Sequence, residues 1–579
     1  MLGIKRQRAV FWGLIFFSLF CLLPGRFSLV RADFLGEKNE FFVDSKYELN
    51  GKETISAFLK TISQKGYFYI ENEWYSGLKE EERKKVNENL KNLAQEFDKT
   101  IYPKLTELYG PPWEPGIDNN PRITILFHRM KKGVGGYFNN GDEYPRAENP
   151  RSNKREMVYL NTDDLFSENL KSYLAHEFTH LITFNQKDRL REVSEDIWLN
   201  EARAEYSPTY LNYNKQYQGS ILQQRIKGFI NSPSDSLTEW QNQKADYGVV
   251  SLFTHYLVDH YGIKILSDSM HSKKTGIASI NEALIKNGFE KNFSQIFSDW
   301  AVTVLLNDCS IGENYCYKNE NLKNIRITPS LIFLPSTKKT NLSLDYSIKQ
   351  WAGHWYRVIG GKGDLKLIFD GQDNTTFNIP YALCEKSGQC QVNFFKLDKS
   401  QRGEVLIPDF SKNFASLTMI PLIEEKKSNF SNDEPFYSFS LSISLKKKSA
   451  QEKLKEKLLL QIKEIKEKIA ELQAKISQLS AKKIKEIPTG FRFRKNLSLG
   501  MSDYTLIYLK KVLISQGCFV DSVENPYFDK QTLKAVKCFC QKYKEEISQY
   551  AGYRVRCTGF VGRGIRTKLN QLLQERQLP

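Results

Sequence analysis

The sequence predicts a multidomain chain in which an α+β body is followed by a β-sandwich, a coiled-coil stalk and a separate basic C-terminal domain. Three observations predict it. At 579 residues the chain is too long for one core, since domains run at roughly 150 residues. The apolar pattern changes twice, from a mixed period to two-residue alternation and then to a heptad. The net charge of +17 is gathered at the ends. Residues 1–32 hold 5 basic and no acidic side chains, 33–445 hold 50 against 54, 446–486 hold 13 against 6, and 487–579 hold 16 against 7. With 40% hydrophobic and 13% aromatic residues, extensive disorder is excluded. A partner drawn by charge, whether anionic wall polymer, membrane surface or nucleic acid, would meet the C-terminal third and not the near-neutral body.

Residues 1–32 read as an export signal. Lys5, Arg6 and Arg8 precede an apolar run over 10–23, Pro24 and Gly25 break it, and Val30 and Ala32 are the small residues expected before a cut after Ala32. The run is shorter than the roughly 20 residues of a spanning helix; an uncleaved anchor is the competing reading. The protein is therefore expected to be secreted or associated with the cell wall. Cleavage removes Cys21 and leaves eight of the nine cysteines, an even number that in an exported chain favours disulfides. Cys309 with Cys316 and Cys384 with Cys390 would close locally. Cys518, Cys538, Cys540 and Cys557 allow three pairings, among which the sequence does not choose.

The body spans 33–328, with helical spacing at 79–108 and 248–261 and a strand at 122–127 (RITILF). The sandwich, 329–446, is read from short alternating runs such as 365–369 and 437–445, broken by Gly, Asn and Asp turns. It holds no cluster of His, Cys or carboxylates, which suits an accessory or spacer role. Residues 449–486 carry a 4-3 repeat at Leu458, Ile462, Ile465, Ile469, Leu472, Ile476 and Leu479, the seam of a coiled coil. Ile at every a position and Leu at three of four d positions favour a parallel homodimer through 458–479. A lone helical spacer about 55 Å long is the competing reading. Pro488 and Gly490 end the stalk and open the last domain, 488–579.

His176-Glu177-Phe178-Thr179-His180 carries the chemistry of the body. Histidines four apart on a helix share a face and reach one metal, and the glutamate beside the first acts on a water held there. A catalytic zinc needs a third protein ligand and an open position. A third histidine from just downstream is excluded, because Thr183 and Gln186 stand where that extended pattern needs Gly and His. The later helix Trp198-Leu199-Asn200-Glu201-Ala202-Arg203-Ala204-Glu205 supplies carboxylates instead. Glu201 is the expected third ligand. Glu205, one turn on, is expected to hold a ligand histidine by its other ring nitrogen, and it competes with Glu201 for the ligand position.

On these residues the chain resembles the gluzincin metallopeptidases. GIDNNPRITILF, GVGGYF, SNKREMVYLNT, HEFTHLITFN, WLNEARAEY and YGVVSLFTHYL extend the resemblance, over roughly 90–265, to the hyicolysin family of secreted bacterial peptidases. The resemblance implies one catalytic Zn²⁺ held by His176, His180 and Glu201, and hydrolysis of peptide bonds with Glu177 as general base. It also implies a donor for the developing oxyanion at Tyr247, with Tyr206, His255 and His260 as alternatives. His255 and His260, five apart, project differently and make a poor joint ligand pair. No GxMEN-like exopeptidase element is present, so an endopeptidase is expected. The strand at Met157–Asn161 is expected to receive an extended substrate by strand addition.

NLSLGMSDYTLIYLKKVLISQG, NPYFDKQTLKAVKCFCQKY and TGFVGRGIRTKLNQLL resemble the peptidoglycan-binding-domain-1 family. That resemblance implies a small three-helix domain and a cell-wall polymer, peptidoglycan, as partner. Asp529, Cys540 and Ile565 depart from the family's usual Gly, Gln and Thr. Nucleic acid is not expected as a partner, because an exported, cysteine-rich module lacks a base-reading element. The expected protein is a wall-associated zinc metalloendopeptidase acting on protein or peptide. A wall-anchored adhesin on an inactive peptidase fold, or a peptidase cutting peptidoglycan stem peptides, are the alternatives.

Overall fold

The structure, a computed structural model, describes residues 32–335, 341–425, 434–446, 450–519 and 525–575. The expected export signal, with Cys21, lies outside the described residues apart from Ala32. Among the described residues no helix is long and apolar enough to cross a membrane. The chain divides into two compact units, Met1–Lys447 and Lys448–Pro579.

Within the first unit the body, up to residue 328, is built on a six-stranded sheet of β1 (Lys38–Phe42), β2 (Thr54–Ile62), β3 (Gly66–Glu71), β4 (Ile123–His128), β5 (Gly136–Phe138) and β6 (Met157–Asn161). Their spatial order is β1-β2-β3-β4-β6-β5. β3, β4 and β6 run parallel, and β5 closes the edge antiparallel to β6. Every residue of β3, β4 and β6 is buried, as expected of apolar strands covered on both faces. Phe68, Ile125, Phe127, Val158 and Leu160 face the main helical core, while Tyr67, Tyr69, Leu126, Met157 and Tyr159 fill a smaller core on the other face. The expectation of substrate adding to Met157–Asn161 needs correction: that strand is β6, both of whose edges are taken, by β4 and β5. The open edge belongs to β5.

Helix α1 (Glu80–Glu96) buries Val86, Leu90, Leu93 and Ala94 along one face. The helix expected over 79–108 is interrupted by a π turn at Phe97–Ile101 before it resumes at Tyr102–Tyr109. Pro103 has no N–H to offer the preceding turn, which accounts for the break. Then come α2 (Leu170–Thr183), α3 (Ile197–Tyr210), α4 (Ile221–Asn231), α5 (Lys244–Tyr261) and α6 (Phe293–Leu306). α5 begins a turn before the expected 248, because the Asp246 carboxylate accepts from the Gln243 and Gln241 N–H groups at 2.6 and 3.1 Å and caps it.

The strands after residue 329 form two facing sheets. One contains β8 (Asn341–Lys349), β10 (Asp364–Gly371), β14 (Arg402–Ile407) and β17 (Phe436–Lys446), ordered β14-β10-β17-β8. The other contains β7 (Ser330–Leu334), β9 (Tyr356–Gly360), β12 (Pro380–Glu385), β13 (Cys390–Phe394) and β15 (Phe414–Met419), ordered β13-β12-β15-β9-β7. Two-residue strands β11 (Phe377–Asn378) and β16 (Leu422–Ile423) pair separately. Leu365, Leu367, Phe369, Leu441 and Ile443 make the inner layer. This sandwich shares a core with the body. Trp351 and Trp355 enter the main core, Trp355 Nε1 donates to the Ala301 carbonyl at 2.9 Å, and Lys349 meets Glu239 at 2.6 Å.

The second unit opens with α7 (Ala450–Lys485). Leu458, Ile462, Ile465, Ile469 and Leu472 along its seam are 48–57% exposed; the side chains of Ile476 and Leu479 lie outside the described residues. Helices α8 (Thr505–Ser515), α9 (Lys530–Lys542), α10 (Lys544–Ala551) and α11 (Arg563–Glu575) enclose a core of Leu509, Leu513, Phe528, Val536, Phe539 and Leu569. The expected three helices are thus joined by a fourth, α10, because Tyr543 leaves the helical conformation (φ −115°, ψ 29°) inside a continuous amphipathic run. Four disulfides are present, Cys309–Cys316, Cys384–Cys390, Cys518–Cys538 and Cys540–Cys557. Cys538 and Cys540, two apart on α9, point away from each other and so take different partners. The family departures have local reasons: Asp529 caps α9 by accepting from the Thr532 N–H at 2.7 Å, Cys540 forms a disulfide, and Ile565 is buried.

Candidate metal centre

α2 is buried nearly all round. Leu174, Phe178 and Leu181 pack into the main core, Phe178 stacking on Tyr102 with ring centres 5.4 Å apart. On another side α3 lies close enough for Thr179 Oγ1 and Ser207 Oγ to hydrogen-bond at 2.8 Å. That contact sets the face of α3 bearing Glu201 and Glu205 against the face of α2 bearing His176 and His180. The Nε2 atoms of the two histidines are 3.1 Å apart, and Glu201 Oε2 lies 3.2 Å from His176 Nε2 and 3.6 Å from His180 Nε2. Ligands about 2.05 Å from a tetrahedral zinc stand about 3.3 Å from one another. The three atoms therefore occupy three corners of such a tetrahedron, and Glu201 Oε2 is buried without a hydrogen-bond partner. Among the described residues this is the one cluster of three His, Cys, Asp or Glu groups close enough for a metal. Against the cost of burial, His180 and His176 hold the Glu201 carboxyl well below the usual range.

Each histidine is held from its far side. His176 Nδ1 is 3.4 Å from Glu205 Oε1, so Glu205 sits at the ring nitrogen away from the cluster and Glu201 at the near one. His180 Nδ1 is 3.0 Å from Asn200 Oδ1. Glu205 accepts two hydrogen bonds from Arg225 on α4, at 2.8 and 2.6 Å. Arg225 reaches it because α4 and α5 nearly touch: a Cβ on Gly248 would stand 2.6 Å from Phe229 N, and one on Gly228 would stand 2.5 Å from the Lys244 carbonyl. α3 is anchored by Arg203, fully buried, which pairs with Glu195 at 2.8 Å and donates to Ser269 Oγ at 2.9 Å. Asn200, Arg225 and Glu195 were absent from the sequence expectations. Asn200 lies inside the motif that supplied Glu201, whereas Arg225 carries no motif of its own.

Glu177 is 6% exposed, and burial raises its carboxyl, opposed by His176 and His180. Edge strand β5 runs over it. A Cβ on Gly136 would lie 2.7 Å from the Tyr159 carbonyl and 3.0 Å from Glu177 Cγ, and one on Gly135 would strike the Tyr173 ring at 2.5 Å. Only glycine lets the strand come this near.

Tyr247, in the first turn of α5, is half-buried. It packs against Trp240 and beneath the Arg225 guanidinium, and its hydroxyl donates to Asn242 Oδ1 at 2.8 Å. Burial and the charge of Glu201 push the phenol upward, so it keeps its proton at neutral pH. A second phenol, Tyr47, also hydrogen-bonds Asn242 and is raised by burial, by Asp44 and by the charges of Glu177 and Glu201. It comes from the turn after β1, far from every motif, and was not foreseen. The alternatives named for Tyr247 are engaged elsewhere. His255 is bonded to Thr209 Oγ1 at 2.8 Å and the Ser251 carbonyl at 2.7 Å, Tyr206 packs on His255, and His260 bonds the Cys316 carbonyl at 2.8 Å.

The fold brings together a helix-borne His-His-Glu cluster that could hold one metal ion, with a buried carboxylate beside it. In sequence the chain is similar to neutral metalloprotease ShpI of Staphylococcus hyicus, 29% identical over 229 residues that cover 35% of this chain and 50% of that protein. This supports a metallopeptidase relationship, and the chain spans half the length of the curated relative it matches. No family model matches. Among solved structures, the pre-peptidase C-terminal domain of a Bacillus anthracis collagenase aligns at 8% identity, over 20% of this chain and 96% of that one, with a TM-score of 0.15. A periplasmic lysozyme inhibitor from Aeromonas hydrophila aligns at 10% identity, over 21% of this chain and 100% of that one, also at 0.15. Scores so low carry no argument.

Proposed function

We propose that this chain is an exported zinc metalloendopeptidase that works at the cell wall, with His176, His180 and Glu201 as ligands. The observation that carries the reading is the tetrahedral spacing of those three atoms next to buried Glu177. Zinc, when bound, supplies a Lewis acid for the scissile carbonyl and lowers the pKa of a coordinated water towards neutrality. Glu177, desolvated and one residue from His176, takes a proton during attack and returns it to the departing amine. Tyr247, held protonated, donates to the oxygen on which charge develops; Tyr47, bonded to the same Asn242, lines the approach. Glu205, neutralised by Arg225, keeps His176 in the tautomer that presents Nε2. The free edge of β5 aligns an extended peptide across Glu177. The C-terminal unit associates with peptidoglycan, and the exposed seam of α7 supports parallel pairing with a second copy.

Metal removal tests the reading. Purified protein should cleave a casein substrate, lose that activity on chelation and regain it with about one equivalent of zinc. Activity that survives removal of all zinc would sink it.

A further inference from the structure

The segment that joins α4 to α5 touches the sandwich at one end and the proposed active site at the other. Ser236, Leu237, Thr238 and Glu239 are buried, and the sandwich holds them. The Ser236 hydroxyl donates to the Gln350 carbonyl at 2.7 Å, and the Leu237 N–H to the Trp351 carbonyl at 2.8 Å. Lys349, at the end of β8, donates to both carboxylate oxygens of Glu239, at 2.9 and 2.6 Å, and the Glu434 N–H, just before β17, donates to one of them at 3.0 Å. The next residues turn to the metal centre. Trp240 packs edge-on against Tyr247 with ring centres 4.8 Å apart. Asn242 accepts from the Tyr247 hydroxyl at 2.8 Å and bonds Tyr47 as well. Its backbone is left-handed, φ +60°, a conformation that Asn tolerates better than most residues. Glu239, tied to the sandwich, and Asn242, tied to both phenols, are three positions apart.

Charge gives the Lys349–Glu239 pair its weight. Glu239 is 3% exposed, and its charge bears on two further acids, Asp235 and Asp246. Asp246 is the carboxylate that caps α5, one residue before Tyr247. Lys349 opposes Glu239 directly and bears on Asp235. Removing one partner of a buried ion pair leaves the other charge uncompensated. Without Lys349 the three acids repel one another, which drives Glu239 off the sandwich and drags the segment that carries Asn242. A donor to a developing oxyanion acts by standing in place before the charge appears, so a misplaced Asn242 costs rate while leaving substrate binding intact. We infer that the sandwich is a working part of the active site, and that Lys349, acting through Glu239 and Asn242, is a positioning residue for the hydroxyls of Tyr247 and Tyr47. The inference rests on the peptidase reading, and it replaces the spacer role that the sandwich's composition suggests.

The test uses the zinc-loaded full chain and a double-mutant cycle. Lys349→Met should lower kcat on a peptide substrate by about 10–100-fold, with KM within about twofold of the parent and zinc content unchanged. Calorimetry gives a readout apart from turnover. A peptide phosphonate, whose tetrahedral anion imitates the charged intermediate, should bind the variant more weakly by the same factor, while a product peptide binds parent and variant alike. In a Tyr47→Phe/Tyr247→Phe background, Lys349→Met should cost less than about twofold further, because the hydroxyls it positions are gone. Should Lys349→Met fail to fold, Glu239→Gln, which keeps an acceptor for the Glu434 N–H, is read in the same way. Parental kcat in the folded variant, a loss of product and phosphonate affinity together, or a full loss in the background lacking both hydroxyls would each overturn the positioning role. A zinc-loaded parent that neither cleaves peptide nor binds the phosphonate would instead overturn the peptidase reading beneath it.

Discussion

Arg225 pairs with Glu205, Glu205 faces His176 Nδ1, and the same guanidinium covers the ring of Tyr247. One cation thus braces a proposed metal ligand and the proposed oxyanion donor together. Glu205→Ala or Arg225→Met should weaken zinc affinity by about 10–100-fold, whereas Glu201→Ala should lose the site altogether. Competition with a chromophoric chelator measures both; equal affinities in parent and Glu205→Ala would remove the bracing role. His176, Glu177, His180, Glu201 and Glu205 were legible because they fall in two local patterns with helical spacing. Arg225 and Tyr47 were not, because they reach the cluster only through the α4–α5 contact and the turn after β1, and neither neighbourhood carries a pattern of its own.

The elements divide in the same way. β4, β6 and the long alternating strands of the sandwich announce themselves by composition and period. The place of β6 inside the sheet does not, since three-residue β5 is too short to read and owes its position to glycines whose absent side chains matter only in three dimensions. Likewise the break before Tyr102 depends on one proline within an otherwise regular helical run. α7 bears on a prediction that belongs at this scale. A row of half-exposed Leu and Ile on a single helix is costly to leave in water, so mass measurement at micromolar concentration should give a dimer. Replacing Ile462 and Ile469 by Lys should return a monomer. A monomeric parent would leave α7 a spacer.

For the molecule as a whole, every residue assigned to the centre lies in the first unit, and the excess positive charge at 487–579 lies in the second. Deleting 448–579 should therefore abolish adsorption to purified cell walls in high salt while leaving cleavage of a soluble protein substrate within about twofold, because the removed part raises local concentration without touching the reacting groups. Equal sedimentation of truncated and full-length protein with walls would end the wall-targeting claim. The sharing of one core by body and sandwich was hidden from the sequence: Trp351 and Trp355 look like ordinary sandwich residues until they are seen buried beneath α6 and its neighbours.

The central claim is that His176, His180 and Glu201 hold zinc while Glu177 moves the proton. Glu177→Gln separates the two, since it preserves shape and removes the base. The most direct measurement is zinc content beside casein cleavage for parent and variant purified together. The account predicts about one zinc per chain in both and a rate at least ~100-fold lower in the variant. Equal rates in the two proteins, at equal zinc, would contradict it.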